Sequence, residues 1–124
     1  MTTPTPAELE ILQILWELGE SKIQEVNDKL NETRPVGYTT TLKLMQIMYQ
    51  KGLVDRKKDG KSHIYLPLIH KENTETSLLN KFIESTFGGS RAKLMMRLIG
   101  RKDVSQAELD EIERYLDNWR RKDK

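Results

Sequence analysis

GYTTTLKLMQIMYQKGLVDRKKDGKSHIYLP, residues 37–67, decides how the rest of the chain is read. Its first half has helical spacing but opens on Thr39, Thr40 and Thr41, β-branched residues that are mediocre helix formers. Advancing about 100° per residue from Thr39 gathers Thr41, Leu44, Met45 and Met48 at roughly 140–240°, a buried side. Thr39, Thr40, Lys43, Ile47 and Gln50 fall at roughly 0–100°, a free side, with Gln46 on its margin. Leu42 and Tyr49 flank the core. A helix is therefore expected from about Tyr38 to Lys51, closed by Gly52. Leu53 to Lys58 reads as a strand, Asp59-Gly60 as a hairpin turn, and Ser62 to Leu66 as the return strand that Pro67 ends.

Upstream, Thr5-Pro6-Ala7-Glu8 is a capping box with Pro at the first helical position. Leu9, Leu12, Ile14, Leu15, Trp16 and Leu18 follow on one broad side, and Gly19 suits a stop. Ser21-Lys22-Ile23-Gln24 reads as a second capping box, before a short helix that buries Ile23, Val26 and Leu30. Residues 31–37, NETRPVG, are a turn-rich connection. The order helix, helix, helix, hairpin is a helix-turn-helix with a β wing. The expected fold is mainly α: a winged helix-turn-helix DNA-binding domain over residues 1–69, then a helical dimerisation domain over residues 70–124.

In that second part a helix is expected from Thr74 or Thr76 to about Thr86, broken by Gly88-Gly89. A shorter one runs from Ser90 to Ile99, and Ser105-Gln106-Ala107-Glu108 caps a last one. Three such helices make a poor independent core. Their apolar residues Leu78, Leu79, Phe82, Leu94, Leu98, Leu109, Ile112 and Leu116 are expected to pack against a second copy of the chain.

Charge narrows the function. The 124 residues carry a net +2, with 36% apolar and 32% charged residues. Residues 1–37 hold three Lys/Arg and seven Asp/Glu, whereas residues 38–66 hold six and two. A positive block inside a nearly neutral chain points to a polyanion-facing surface. In a helix-turn-helix the second helix enters the major groove, its N-terminal residues nearest the bases. Threonine hydroxyls bond phosphates or base edges, and threonine methyls touch thymine. The candidate DNA-binding residues are Tyr38, Thr39, Thr40, Lys43, Gln46 and Ile47 on the helix, and Arg56, Lys57, Lys58 and Lys61 on the wing.

Other classes are weaker. With no cysteine, disulfides, thiol catalysis and Cys-based zinc sites are excluded. His63 and His70 have no acidic pair or nucleophile placed beside them, and HExxH and phosphate-loop motifs are absent. No enzyme, cofactor or metal site is expected. There is no signal-peptide start and no apolar run long enough for a membrane helix, so no membrane insertion and a cytoplasmic location are expected. The competing expectation is a winged helix used only for protein contacts. Such domains often lose the basic wing, which this chain keeps.

The chain also resembles the penicillinase-repressor (BlaI/MecI/CopY) family of bacterial transcriptional repressors. The resemblance rests on E-x-x-I-L-x-x-L-W at Glu8 to Trp16, Tyr38-Thr39-Thr40, Lys51-Gly52-Leu53-Val54 and Tyr65-x-Pro67. It covers residues 5–68 well and the remainder in pattern, down to the polar S-x-x-E-L start of the last helix. It implies a homodimeric repressor on a palindromic double-stranded operator, with the C-terminal helices forming the dimer. Two departures fall on the reading face: the position of Lys43 is often threonine in the family, and that of Ile47 often arginine. A membrane sensor protease is a partner by resemblance only. In β-lactam-responsive members it cuts an Asn-Phe bond whose place here is Arg97-Leu98, so that cleavage does not carry over. The copper-responsive branch uses C-terminal cysteines that this chain lacks. Operator, target genes and inducing signal stay open at this point.

Overall fold

The structure, a computed structural model, describes residues 3–100 and 104–122. Eight elements follow in order: α1 Pro6–Leu18, α2 Ile23–Leu30, α3 Tyr38–Lys51, β1 Val54–Asp59, β2 Ser62–Pro67, α4 Lys71–Phe87, α5 Arg91–Gly100 and α6 Gln106–Lys122. The chain divides into two compact units, Met1–Leu78 and Leu79–Lys124, the division falling inside α4.

In the first unit α1, α2 and α3 enclose one core that the hairpin closes. Ile11, Leu12 and Leu15 of α1 meet Val26 and Leu30 of α2, Met45 and Met48 of α3, and Leu53, Val54 and Tyr65 of the wing base. The expected box opens α1: the Thr5 hydroxyl accepts from the Glu8 N–H at 3.2 Å, and Glu8 accepts from the Thr5 N–H at 2.9 Å. Glu8 is itself 2% exposed. Its second carboxylate oxygen meets the Lys51 ammonium at 2.8 Å, tying the start of α1 to the last turn of α3. At the other end of α1, the Trp16 indole N–H donates to the Ile69 carbonyl at 3.1 Å, fixing the chain as it leaves the wing.

α3 ends on Gly52 in the left-handed conformation, φ +79°, which glycine adopts at least cost. β1 and β2 are antiparallel with Asp59 opposite Ser62. The turn is therefore Gly60-Lys61, one residue later than expected, with Gly60 at φ +64°. The second cap also differs from expectation. Lys22 caps α2, its N–H donating to Glu25 at 2.9 Å. Ser21 is instead buried, exchanging backbone hydrogen bonds with Tyr65 at 2.8 and 3.0 Å. A one-residue bridge to β2 has claimed it, so the helix starts a residue later. α4 begins earlier than expected, because the Thr74 hydroxyl donates back to the His70 carbonyl at 2.8 Å within the first turn instead of capping it.

The second unit is different in kind. Ser105 caps α6 as expected, its hydroxyl accepting from the Glu108 N–H at 3.2 Å. Yet neither α5 nor α6 has a buried residue, and Ile83 is the only buried side chain among the described residues of this unit. Between α5 and α6 runs an apolar groove of about 650 Å³, lined chiefly by Met95, Leu98, Ile99, Val104, Ile112, Tyr115 and Leu116. Among the described residues no helix is long and apolar enough to cross a membrane.

Candidate nucleic-acid interface

α3 is set by a polar contact inside the core. Thr41 is fully buried and its hydroxyl lies 2.6 Å from the Asn27 side-chain amide of α2. With its nitrogen turned toward α3, that amide also donates to the carbonyls of Val36 at 3.2 Å and Gly37 at 3.3 Å. One buried amide thus holds the turn that launches α3. Thr41 belongs to the core and fixes the helix, while Thr39 and Thr40 are exposed.

The α3 N-terminus is open. Gly37, the N-cap, supplies no side-chain bond, and the first intrahelical donor is the Thr41 N–H, to the Gly37 carbonyl. The preceding N–H groups are the donors that bind phosphate at a helix start. Tyr38, Thr39, Thr40, Lys43, Gln46 and Gln50 are exposed on this helix. Ile47, placed on the free side by its angle, is half-buried, and Leu44, placed in the core, is half-buried too.

The four wing cations are not equivalent. Lys57 pairs with Glu20 of the α1–α2 turn at 2.9 Å. At the wing tip Asp59 pairs with Lys22 at 3.4 Å. These two bridges strap the hairpin to the turn before α2. Arg56 stacks over the Tyr49 ring at 4.1 Å and donates to the Tyr65 hydroxyl at 3.4 Å. That hydroxyl beside it raises the Arg56 pKa further above its ordinary value. Lys58, Lys61 and Lys43 make no ion pair among the described residues. A cleft of about 310 Å³ lies between α3 and the wing, with Tyr38, Leu42 and Gln46 on one wall and Arg56, Lys61 and His63 on the other. The His63 ring meets Tyr65 edge-on, centroids 6.4 Å apart. Sequence reasoning placed Tyr49 at the flank of the core and gave it no part in this surface, whereas a histidine on the wing is read as a surface or phosphate-side residue. A two-residue turn fixes a hairpin's register, but the tertiary neighbours of its side chains leave no periodic signal.

The α1–α2 side is self-neutralised. Arg34 pairs with Glu10, and Lys29 reaches Glu32 at 3.3 Å and Glu17 at 3.7 Å. The unpaired positive charge therefore gathers on the α3 and wing side. Among the described residues no cluster of three His, Asp or Glu is placed to hold a metal ion.

The residues expected to dimerise all lie in α4, α5 and α6. Leu79, Phe82, Leu98, Ile112 and Leu116 are exposed, while Leu78, Leu94 and Leu109 are half-buried. Met95, Met96, Tyr115 and Trp119, not among them, are more than half exposed.

A three-helix core, a buried α2–α3 contact, an open α3 start and a hairpin wing define a winged helix-turn-helix protein. Comparison with known proteins narrows this. The sequence profile of the penicillinase repressor family matches residues 4–118, and the chain belongs to that family. It is a transcriptional repressor and not an enzyme. The methicillin resistance regulatory protein MecI of Mammaliicoccus sciuri is 26% identical over 110 residues, 89% of each chain. Two solved structures share the fold. The DNA-binding domain of the repressor BlaI has TM-score 0.51 and 24% identity, over 56% of this chain and 85% of its own. A MarR family protein from Bacillus stearothermophilus has TM-score 0.53 and 24% identity, over 98% of this chain and 76% of its own.

Proposed function

We propose that the chain represses transcription as a homodimer on a palindromic double-stranded operator, with α3 in the major groove and the wing on the flanking backbone. One observation carries the reading: the exposed start of α3, with Thr39, Thr40 and Lys43, lies on the same unit as a wing whose Lys58 and Lys61 are unpaired. In this reading Tyr38, Thr39, Thr40, Lys43, Gln46 and Ile47 face the groove, and the wing cations neutralise phosphates. Such a protein acts where the chromosome is, in the cytoplasm. A sensor protease remains a partner by family resemblance alone. The bond at the place of the family's Asn-Phe cleavage is Arg97-Leu98, within α5.

The test is selection of genomic fragments with the purified protein, followed by titration across salt. Affinity falls steeply between about 50 and 200 mM salt if several phosphates are contacted. Absence of binding to any fragment at low salt overturns the reading.

Two substitutions separate its parts. Lys58→Ala with Lys61→Ala removes two unpaired cations, so the log–log salt slope drops by about 1.8, roughly 0.9 for each phosphate lost. Binding weakens alike on all sequences, as gel shifts on selected and random DNA will show. Thr40→Ala or Lys43→Ala changes preference at particular base pairs, by about 1–3 kcal/mol where a base contact is lost. Uniform loss on every sequence would assign Thr40 and Lys43 to the backbone instead.

A further inference from the structure

We propose that Tyr49 is a positioning residue for DNA binding: it holds the Arg56 guanidinium in a fixed posture so that Arg56 meets a backbone phosphate already oriented. The inference rests on the DNA-binding reading above and extends the site to an aromatic ring in the last turn of α3.

Arg56 lies opposite Tyr65 in the hairpin, on the face that also carries the buried Val54. Its partner Tyr65 is buried and also bridges to Ser21, so this level of the hairpin is tied to the core. The guanidinium carbon sits 4.1 Å above the Tyr49 ring. Stacking occupies the face of the cation, and the Tyr65 hydroxyl takes one donor. An arginine has five N–H donors in its plane, so in-plane donors remain for a phosphate.

The charge of Arg56 is held without being cancelled. Lys57 and Lys22 are matched to Glu20 and Asp59, but Arg56 pairs with no carboxylate among the described residues. Its neighbours are two phenols. Lys58 and Lys61 also make no ion pair among the described residues, and neither side chain forms a hydrogen bond there, so each must lose rotamer freedom to bind. Arg56 has already lost much of it. Tyr49 is 38% exposed, more than a ring needed mainly for the core, and its contact joins α3 to the wing.

The experiment uses the whole 124-residue chain and a DNA fragment selected by the wild type. Tyr49→Leu changes no charge. It weakens binding about three- to tenfold at moderate salt through the lost stacking, and flattens the salt slope toward that of Arg56→Gln. Tyr49→Phe keeps a ring under the guanidinium and stays near wild type. In the double variant Tyr49→Leu with Arg56→Gln, the loss is no greater than for Arg56→Gln alone. A purely structural Tyr49 would lower the thermal midpoint and leave the salt slope unchanged. An unchanged slope in Tyr49→Leu, or additive losses in the double variant, overturns the proposal. A wild type that binds no DNA overturns the functional reading and this inference with it, whereas a binding wild type with an indifferent Tyr49→Leu overturns this inference alone.

Discussion

Leu116→Asp turns the protein into a monomer and weakens its binding to a two-half-site operator about 100-fold or more, while binding to a single half-site stays near wild type. Leu116 sits in α6 and lines the groove shared with Met95, Leu98, Ile99 and Ile112. Neither helix beside this groove buries a residue. A helix as short as the ten-residue α5 is marginal in water without tertiary burial, so a partner covering this face would stabilise it. A second copy brings the same apolar face, and each Å² covered stabilises by about 25 cal/mol. A carboxylate placed there would have to be buried for the two apolar faces to meet, and costs several times what the leucine contributed. Once the dimer is lost, the second half-site no longer profits from a tethered neighbour, which is where the large factor arises. Sedimentation of both proteins at micromolar concentration reads the oligomer, and gel shifts on one- and two-half-site fragments read the binding. Intact half-site binding excludes simple unfolding. A wild-type monomer, or an undisturbed dimer in Leu116→Asp, refutes the dimer reading.

The difference between the two units shows what a helical period can and cannot say. In α3 the angles placed Thr41, Met45 and Met48 inside, and they are buried. The same spacing in α5 and α6 marked Leu98, Ile112 and Leu116 as an apolar face, yet all three are exposed in the single chain. Period reports which residues share a face. Whether that face meets its own chain or another depends on how many elements surround it. The wing was legible because alternation and a glycine at the turn are local signals, although Asp59 pairs with Ser62 and the turn itself is Gly60-Lys61. Its charges were legible only as charges: Glu20 lies 37 residues from Lys57, and no local pattern links them. Ser21 was misread for the same reason, since its partner Tyr65 lies in β2 and a nearby cap was the only local use for it. The Arg56–Tyr49 stack joins the end of α3 to the first strand, and the sequence displays those residues without their contact.

Lys51→Met destabilises the first unit by about 2 kcal/mol at neutral pH, below the roughly 3–5 kcal/mol for breaking a fully buried ion pair because Lys51 is itself partly exposed. The Glu8 carboxylate is held away from water, and burial pushes its pKa up. The hydrogen bond from Lys51, the Thr5 backbone N–H and the Lys51 charge together outweigh burial and hold it below the ordinary value of about 4.5. A group depressed in this way stabilises the fold fully above its ordinary pKa, and that contribution is lost as pH falls through the folded value. Wild-type stability therefore declines on acidification below about pH 4.5, in part because Glu8 takes up a proton. In Lys51→Met the lysine's two lowering effects vanish and burial remains, so the Glu8 pKa rises. The variant therefore has less of this contribution to lose on acidification, so its deficit against wild type is largest near neutrality and narrows in acid. Glu8→Gln keeps the side-chain shape and an acceptor for the Thr5 N–H and Lys51 while removing the proton uptake. It costs less, about 1 kcal/mol, and flattens the acid limb. Urea unfolding of the three proteins from pH 7 down to pH 3 checks the pattern. A Lys51→Met deficit that stays constant or grows as pH falls would show that the lysine acts through packing alone.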